Sequence, residues 1–180
     1  MKIILGRGVD VMERQGGLAL DKKKKRRLWH YFLQSLLAAV YIAAVLLLAD
    51  IIQDKLVLTS LGASAFIAFA FPQADSSRTR FMLGGYTLAS IFGCLCALLA
   101  NWLFLIADWP MESYLIACAL AMFLTMFSMT TLNLEHPPSC ALAITLTISR
   151  NPFILAFASL TGIGILCLFK SLIKRLLCNL

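Results

Sequence analysis

The sequence contains little charge. Only 14% of its 180 residues are Asp, Glu, Lys or Arg, whereas 61% are apolar. A soluble domain usually has about 25% charged and about 45–50% apolar residues. A chain of this length has too little interior to shield so many apolar side chains from water. The composition therefore excludes an ordinary soluble domain and predicts an integral membrane protein.

The groups needed for familiar enzyme chemistry are also scarce. His30 and His136 are the only histidines, and the six cysteines have neither zinc-binding nor redox spacing. The pattern contains no Ser/His/Asp set and no paired acids within an apolar stretch. We therefore predict that the protein is not an enzyme and that it uses no metal or cofactor.

The cations are concentrated at one end of the sequence. Nine of the 16 Lys and Arg lie in residues 1–27, and six of them form one run over 22–27. Such a run can bind nucleic acid, but this one directly precedes a long apolar stretch, where the positive-inside rule places a cytoplasmic flank. We predict a basic cytoplasmic tail over 1–27, a transmembrane domain over 28–176 and no nucleic-acid partner. Both termini are expected on the cytoplasmic side of the plasma (inner) membrane.

The apolar stretches differ in length. A helix needs roughly 20 apolar residues to cross a bilayer, and four stretches meet this requirement: 28–49, 81–107, 113–132 and 152–173. The stretches 56–71 and 138–148 are shorter. Pro72 ends the first and Pro137-Pro138 open the second, as in broken helices that are buried among others. The sequence thus predicts an all-α membrane protein with four full transmembrane helices and two short ones. The distribution of Lys and Arg favours six crossings, while a turning back of both short stretches stays open.

The order long, short, long occurs twice along the chain. The first set covers 28–107 and the second covers 113–173. Two three-helix units in tandem must have opposite orientations, which is the plan of many transporters. The two halves share little sequence similarity, so the inverted repeat is a hypothesis at this stage.

The second short stretch opens with His136, Pro137, Pro138 and Ser139. Two prolines suit the first turn of a helix because their φ is already fixed near the helical value. We expect the backbone N–H groups of residues 139–141 to be free and to form an anion site at the helix start. His136 would add a hydrogen-bond donor that titrates near neutral pH. The alternative is that His136 only caps the helix.

Residues 136–143 resemble the signature of the HPP family of integral membrane proteins, which is named for the His-Pro-Pro tripeptide. A second family block occurs at 60–65 and continues through Pro72 and Arg80 to the Gly84-Gly85 pair. The resemblance covers about residues 28–176. Three positions depart from the usual family pattern: Cys140 replaces Gly, Phe81 replaces Asn and Tyr86 replaces His.

The resemblance implies a transporter-like membrane domain, and some plant-plastid and cyanobacterial members are associated with nitrite transport. We therefore expect a permease for a small polar solute, foremost a small inorganic anion such as nitrite. The alternative is a non-transporting membrane module, either an assembly partner or the membrane part of a sensor. The expected partners are the lipid bilayer and the solute, and a homodimer is a hypothesis.

The candidate substrate-binding residues are small, hydroxyl-bearing, cationic or part of the tripeptide: Ser60, Gly62, Ser64, Arg80, Gly84, Gly85, His136, Pro137, Pro138 and Ser139. Two alternatives stay open. Arg80 lies at a helix end, where it could serve membrane topology alone. The glycine pair could serve only the close packing of helices.

Overall fold

The computed structural model describes residues 22–49, 57–107 and 110–173. These residues form six helices: α1 Lys22–Ala49, α2 Val57–Ala70, α3 Thr79–Ala107, α4 Pro110–Thr131, α5 Pro138–Ile148 and α6 Pro152–Ile173. A 3₁₀ turn, Asp75–Ser77, lies between α2 and α3. The predictions for the tail over 1–21 and for the charges in 50–56, 108–109 and 174–180 lie outside the described residues.

Three helices within the described ranges are long and apolar enough to cross a membrane. The qualifying stretches are Thr79–Leu103 of α3, Tyr114–Thr131 of α4 and Pro152–Ile173 of α6, which confirms three of the four predicted full spans. The apolar stretch of α1, Phe32–Val45, is shorter. The full span over 28–49 is therefore not confirmed. In addition, α1 begins at Lys22, so the basic run 22–27 is helical.

Local residue types fix several helix ends. Helices α5 and α6 begin at Pro138 and Pro152 as predicted, because the fixed φ of proline suits the first helical turn. Helix α4 ends before Asn133, which takes a left-handed φ of 52°. The N–H of Leu134 then donates to the Met129 carbonyl oxygen at 2.8 Å, a pairing typical of a Schellman helix end. This turn directs the chain towards α3.

Helix α5 lies against α3 and runs in the same direction. A Cβ added to Gly85 would lie 2.6 Å from Ser139 Oγ, and one added to Gly93 would lie 2.8 Å from Leu146 Cβ. The contacts therefore follow the same order along both helices, as they must when the helices are parallel. Only glycine permits so close an approach of the two backbones, as at many helix contacts in membranes.

Helix α2 has the same relation to α6. Leu61 packs against Gly162, and farther along both helices the rings of Phe69 and Phe169 meet with centroids 6.1 Å apart. The two short helices α2 and α5 also contact each other. Each short helix thus runs parallel to a long helix that lies in the other half of the sequence.

The outward faces of the bundle are apolar. Phe157 is 75% exposed and Leu105 is 81% exposed, and Phe123 and Phe127 on α4 are exposed with stacked rings. The interior is also mainly apolar, with large side chains such as Phe69 and Leu146 beside small residues and a minority of buried polar groups. Apolar faces on the outside as well as the inside suit a helical bundle whose outer surface faces lipid.

Candidate functional site

His136 lies in the connection between α4 and α5 and is completely buried. Its Nδ1 is 2.8 Å from the Ser76 carbonyl oxygen, and its Nε2 is 2.8 Å from Ser64 Oγ. A carbonyl oxygen can only accept a hydrogen bond, so Nδ1 carries the proton. In the neutral ring Nε2 must then accept, and the Ser64 hydroxyl donates to it. The tautomer is assigned from these partners.

Tyr86 on α3 extends this line of hydrogen bonds. Its hydroxyl lies 2.9 Å from Ser64 Oγ, and its ring centroid is 5.7 Å from that of His136. Because the Ser64 proton is committed to His136, the Tyr86 hydroxyl donates to Ser64. We call the set Tyr86, Ser64, His136 and Ser76 the His136 network. It joins α3, α2, the α4–α5 connection and the 3₁₀ turn.

The protonation state of His136 agrees with this network. Burial lowers the pKa of His136 from its usual 6.5 to about 4, and the hydrogen bond to the Ser76 carbonyl opposes that shift only in part. The ring is therefore neutral near pH 7, as the acceptor role of Nε2 requires.

The Gly84-Gly85 pair makes room for the segment that contains His136. A Cβ on Gly84 would lie 2.9 Å from the side chain of Leu134, and one on Gly85 would lie 2.9 Å from His136 Cβ. The geometry gives both glycines a packing role: they allow the end of α4 and the start of α5 to lie directly on α3. This contact brings the His136 ring to Tyr86.

The start of α5 differs from the expectation. The N–H of Ser139 donates to the His136 carbonyl oxygen at 3.0 Å, and the N–H of Cys140 donates to that of Pro137 at 3.1 Å. The prediction of free N–H groups was therefore wrong for these two residues, because the Pro-Pro turn tightens into i to i−3 hydrogen bonds. The buried Ser139 hydroxyl, in contrast, has no hydrogen-bond partner among the described residues.

The family model of the HPP transmembrane region matches residues 23–179. The chain belongs to the HPP family. No curated protein and no solved structure matches the chain. The family match covers all six helices, so the His136 network lies in the middle of the HPP region and includes the histidine of the tripeptide.

The two prolines of the tripeptide differ in their exposure. Pro138 is buried at the start of α5, whereas Pro137 is exposed. On α2, Ser60 lies one turn before Ser64, is buried and donates to the Val57 carbonyl oxygen. These positions place Ser60 and Pro138 beside the network.

Two other predicted site residues lie apart from the network. A Cβ on Gly62 would meet only Ile42 Cδ1, at 3.9 Å, so Gly62 makes no close backbone contact there. Arg80 is exposed on the first turn of α3. The structure therefore brings together Ser64, Gly85, His136 and Ser139, and it leaves Gly62 and Arg80 outside this group.

Sequence reasoning missed Tyr86, Ser76 and Lys170. Lys170 is buried near the end of α6, and its ammonium group donates to both the carbonyl oxygen and the hydroxyl of Ser77. Two signals were present in the sequence. Tyr86 is one of the three departures from the pattern that the family resemblance implies, and Lys170 is a single cation within an otherwise apolar helix.

Two open clefts flank the 3₁₀ turn. The first, which we call the basic cleft, has a volume of about 470 Å³ and is lined by Pro72, Gln73, Arg78, Thr79, Cys167, Lys170 and Ser171. The second, the mixed cleft, has a volume of about 450 Å³ and is lined by Asp75, Ser76, Arg78, Phe81, Asn133, Glu135 and Pro137. The mixed cleft includes Ser76 of the His136 network, whereas no residue of the network lines the basic cleft.

Proposed function

We propose that this HPP-family membrane protein is a permease for a small polar solute, foremost a small inorganic anion. The observation that carries the proposal is the buried His136 network at the contact of the two short helices. Polar groups that are buried among apolar membrane helices are costly, and they commonly mark the path of a solute or ion. The unpartnered hydroxyl of Ser139 lies beside this network.

The depth of the network supports this proposal. Gly85, which contacts Ser139, is the seventh residue of α3. At about 1.5 Å per residue, the start of α5 therefore lies about 9 Å along the axis from the first residue of α3. A solute at Ser139 and His136 would be inside the bundle rather than at its end.

An inverted repeat would explain the helix contacts. Under such symmetry α2 corresponds to α5, and α6 corresponds to α3. The parallel pair of α2 and α6 then corresponds to the parallel pair of α5 and α3, and α2 contacts its own counterpart. Transporters with this plan bind their substrates where the two repeats meet. We propose six crossings, with the halves at 28–107 and 113–173.

The 3₁₀ turn would act as the inner closure of the path. Ser76 accepts the Nδ1–H of His136, and Ser77 accepts the ammonium group of Lys170. Displacement of the turn would release the Nδ1–H group, which could then donate to an anion together with the Ser139 hydroxyl. A neutral histidine donor suits a small anion because it supplies a hydrogen bond without holding the solute through a full charge.

A second candidate function is a non-transporting membrane module. It is favoured by the dense packing at this place, since Ser64, His136 and Ser139 are all completely buried. A transporter in a closed conformation would have the same packing. The two functions differ in whether this region ever opens to a solute.

Uptake into proteoliposomes tests the proposal. Purified protein would be reconstituted and supplied with nitrite, nitrate, chloride, sulfate or phosphate, with protein-free liposomes as the control. The permease predicts saturable uptake of at least one of these anions. Folded, correctly inserted protein that transports none of them would contradict the anion permease and favour the non-transporting module.

The proposed orientation has a separate test. The turn at Ser77 and the end of α6 at Lys170 lie at one end of the bundle, which we assign to the cytoplasm, and the exposed Arg150 follows α5 at its opposite end. Arg78→Cys and Arg150→Cys should therefore react with a membrane-impermeant thiol reagent from opposite sides. Labelling of both variants from the same side would exclude a crossing by α5.

A further inference from the structure

The basic cleft differs from the mixed cleft in its charge. Arg78 and Lys170 line the basic cleft, and none of its described lining residues is acidic. The mixed cleft contains Asp75 and Glu135 beside Arg78. The fold brings the two cations together from positions 92 residues apart in the sequence (170 − 78). The pairing is therefore a product of the fold rather than of a local charge run.

Lys170 is the less exposed of the two cationic side chains that line the basic cleft. Its side chain is only 9% exposed, and its ammonium group is held by the carbonyl oxygen and hydroxyl of Ser77. Removing an ammonium group from water is unfavourable unless an opposite charge or several hydrogen bonds offset the loss. An anion in the adjoining cleft would contribute to that compensation.

Arg78 gives the basic cleft a second, adjustable charge. Its guanidinium pairs with Asp75 at 2.9 Å, but the two side chains are 66% and 70% exposed. An ion pair so accessible to water is weak, so Arg78 can exchange Asp75 for an anion at little cost. Planar guanidinium groups bind oxyanions through two parallel hydrogen bonds. The hydroxyls of Thr79 and Ser171 add donors at the same cleft.

We propose that the basic cleft binds an oxyanion between Arg78 and Lys170. The site is distinct from the His136 network, because none of the residues that line the basic cleft belongs to that network. It deepens the proposed function, because an anion would bind at this site before it reaches the buried network. Binding at the site does not itself require transport. The shared ligand chemistry is a phosphate-like or nitrite-like oxyanion, supplied either as a free solute or by the headgroup of an anionic lipid.

Binding measurements on the full-length protein test this site. Protein in phosphatidylcholine nanodiscs would be titrated calorimetrically with nitrite, nitrate, sulfate and phosphate. A second arm would measure retention of phosphatidylglycerol by native mass spectrometry. We expect Arg78→Gln to weaken binding about tenfold, because a hydrogen bond to a charged group contributes on that scale, and Arg78→Glu to abolish it. Arg78 is exposed, so these variants spare the fold in a way that Lys170→Gln would not.

Arg150→Gln is the matched control because Arg150 is also exposed but lines neither cleft. It should bind like the wild type. If Arg78→Glu loses the calorimetric binding of anions, the ligand is a free oxyanion. If it loses only the retention of phosphatidylglycerol, the ligand is a lipid headgroup. Absence of wild-type binding in both arms, or equal binding by Arg78→Glu, overturns the site. Loss of binding in Arg78→Glu together with no uptake by the wild type would retain this site and remove the permease.

Discussion

The contact between α5 and α3 is closer than the contact between α2 and α6. A Cβ on Gly93 would lie 2.8 Å from Leu146 Cβ and 2.9 Å from the Ala143 carbonyl oxygen, neither of which can move without the backbone. A Cβ on Gly162 would meet the outer end of the Leu61 side chain at 2.9 Å, and that end can rotate away. The two helices of each pair run in the same direction, but the contact between α5 and α3 has less room for an added methyl group than the contact between α2 and α6.

This difference assigns different purposes to the small residues of the two helix pairs. Around α5, glycines of α3 allow close backbone contact, and this contact positions His136 against Tyr86. On α2, the small residues instead supply a buried hydroxyl, Ser64, while Gly62 makes only ordinary contact. One pair sets the geometry of the network, and the other supplies part of its chemistry.

Among the substitutions that lower the free energy of unfolding, replacement of a contact glycine by alanine should have the largest effect. Gly93→Ala should lower the free energy of unfolding by about 1–3 kcal/mol, because an added methyl group overpacks a rigid contact. Gly162→Ala should cost less because Leu61 can adjust. Gly164→Ala is the control, since nothing lies within 4 Å of its added Cβ. Denaturant unfolding in detergent measures all three, and an equal or larger cost at Gly162 would contradict the comparison.

Acid should destabilise the network through His136. The folded pKa of about 4 lies below the usual 6.5, so between these values the unfolded chain binds a proton that the folded chain excludes. Stability should therefore fall as the pH decreases from 6.5 towards 4, by up to about 1.4 kcal/mol per pH unit. Unfolding at several pH values would measure this slope.

His136→Gln should reduce the acid dependence. The comparison of this variant with the wild type separates His136 from the carboxylates, which also titrate in this range. An unchanged slope in His136→Gln would show that the ring is not buried in its neutral form.

Removal of the Tyr86 hydroxyl should lower the free energy of unfolding by the smallest amount. Tyr86→Phe deletes one hydrogen bond to Ser64 and should cost about 0.5–1.5 kcal/mol. Because the two residues touch, its effect should not add to that of Ser64→Ala in a double-mutant cycle. Tyr114→Phe, which removes an exposed hydrogen bond to Asn101, should add to Ser64→Ala. Additive behaviour of Tyr86→Phe would separate it from the network.

The helices were predictable where their signals are local. The bounds of α5 and α6 match the predicted stretches 138–148 and 152–173, since prolines define their first turns. The ends of α2, α3 and α4 differ from prediction by no more than three residues, because apolar length alone marks a helix end loosely. The left-handed turn at Asn133 was not predicted, although asparagine is tolerated at such ends.

The site was predictable only in part. The tripeptide and the small-residue block pointed to His136 and Ser64, but their direct contact depends on how α2 and α5 pack. The bonds from His136 to Ser76 and from Lys170 to Ser77 join residues 60 and 93 positions apart. No local pattern encodes such pairs. The same holds for Tyr86, which becomes part of the network because Gly85 brings α5 onto α3.

The most direct test of the account is the effect of Ser139→Ala on uptake and on stability together. The Ser139 hydroxyl is buried without a partner among the described residues, so its removal should leave the free energy of unfolding unchanged or slightly higher. If this hydroxyl meets the solute, uptake of the transported anion in proteoliposomes should fall at least about tenfold. Wild-type uptake by the stable Ser139→Ala variant would contradict a solute path at the start of α5.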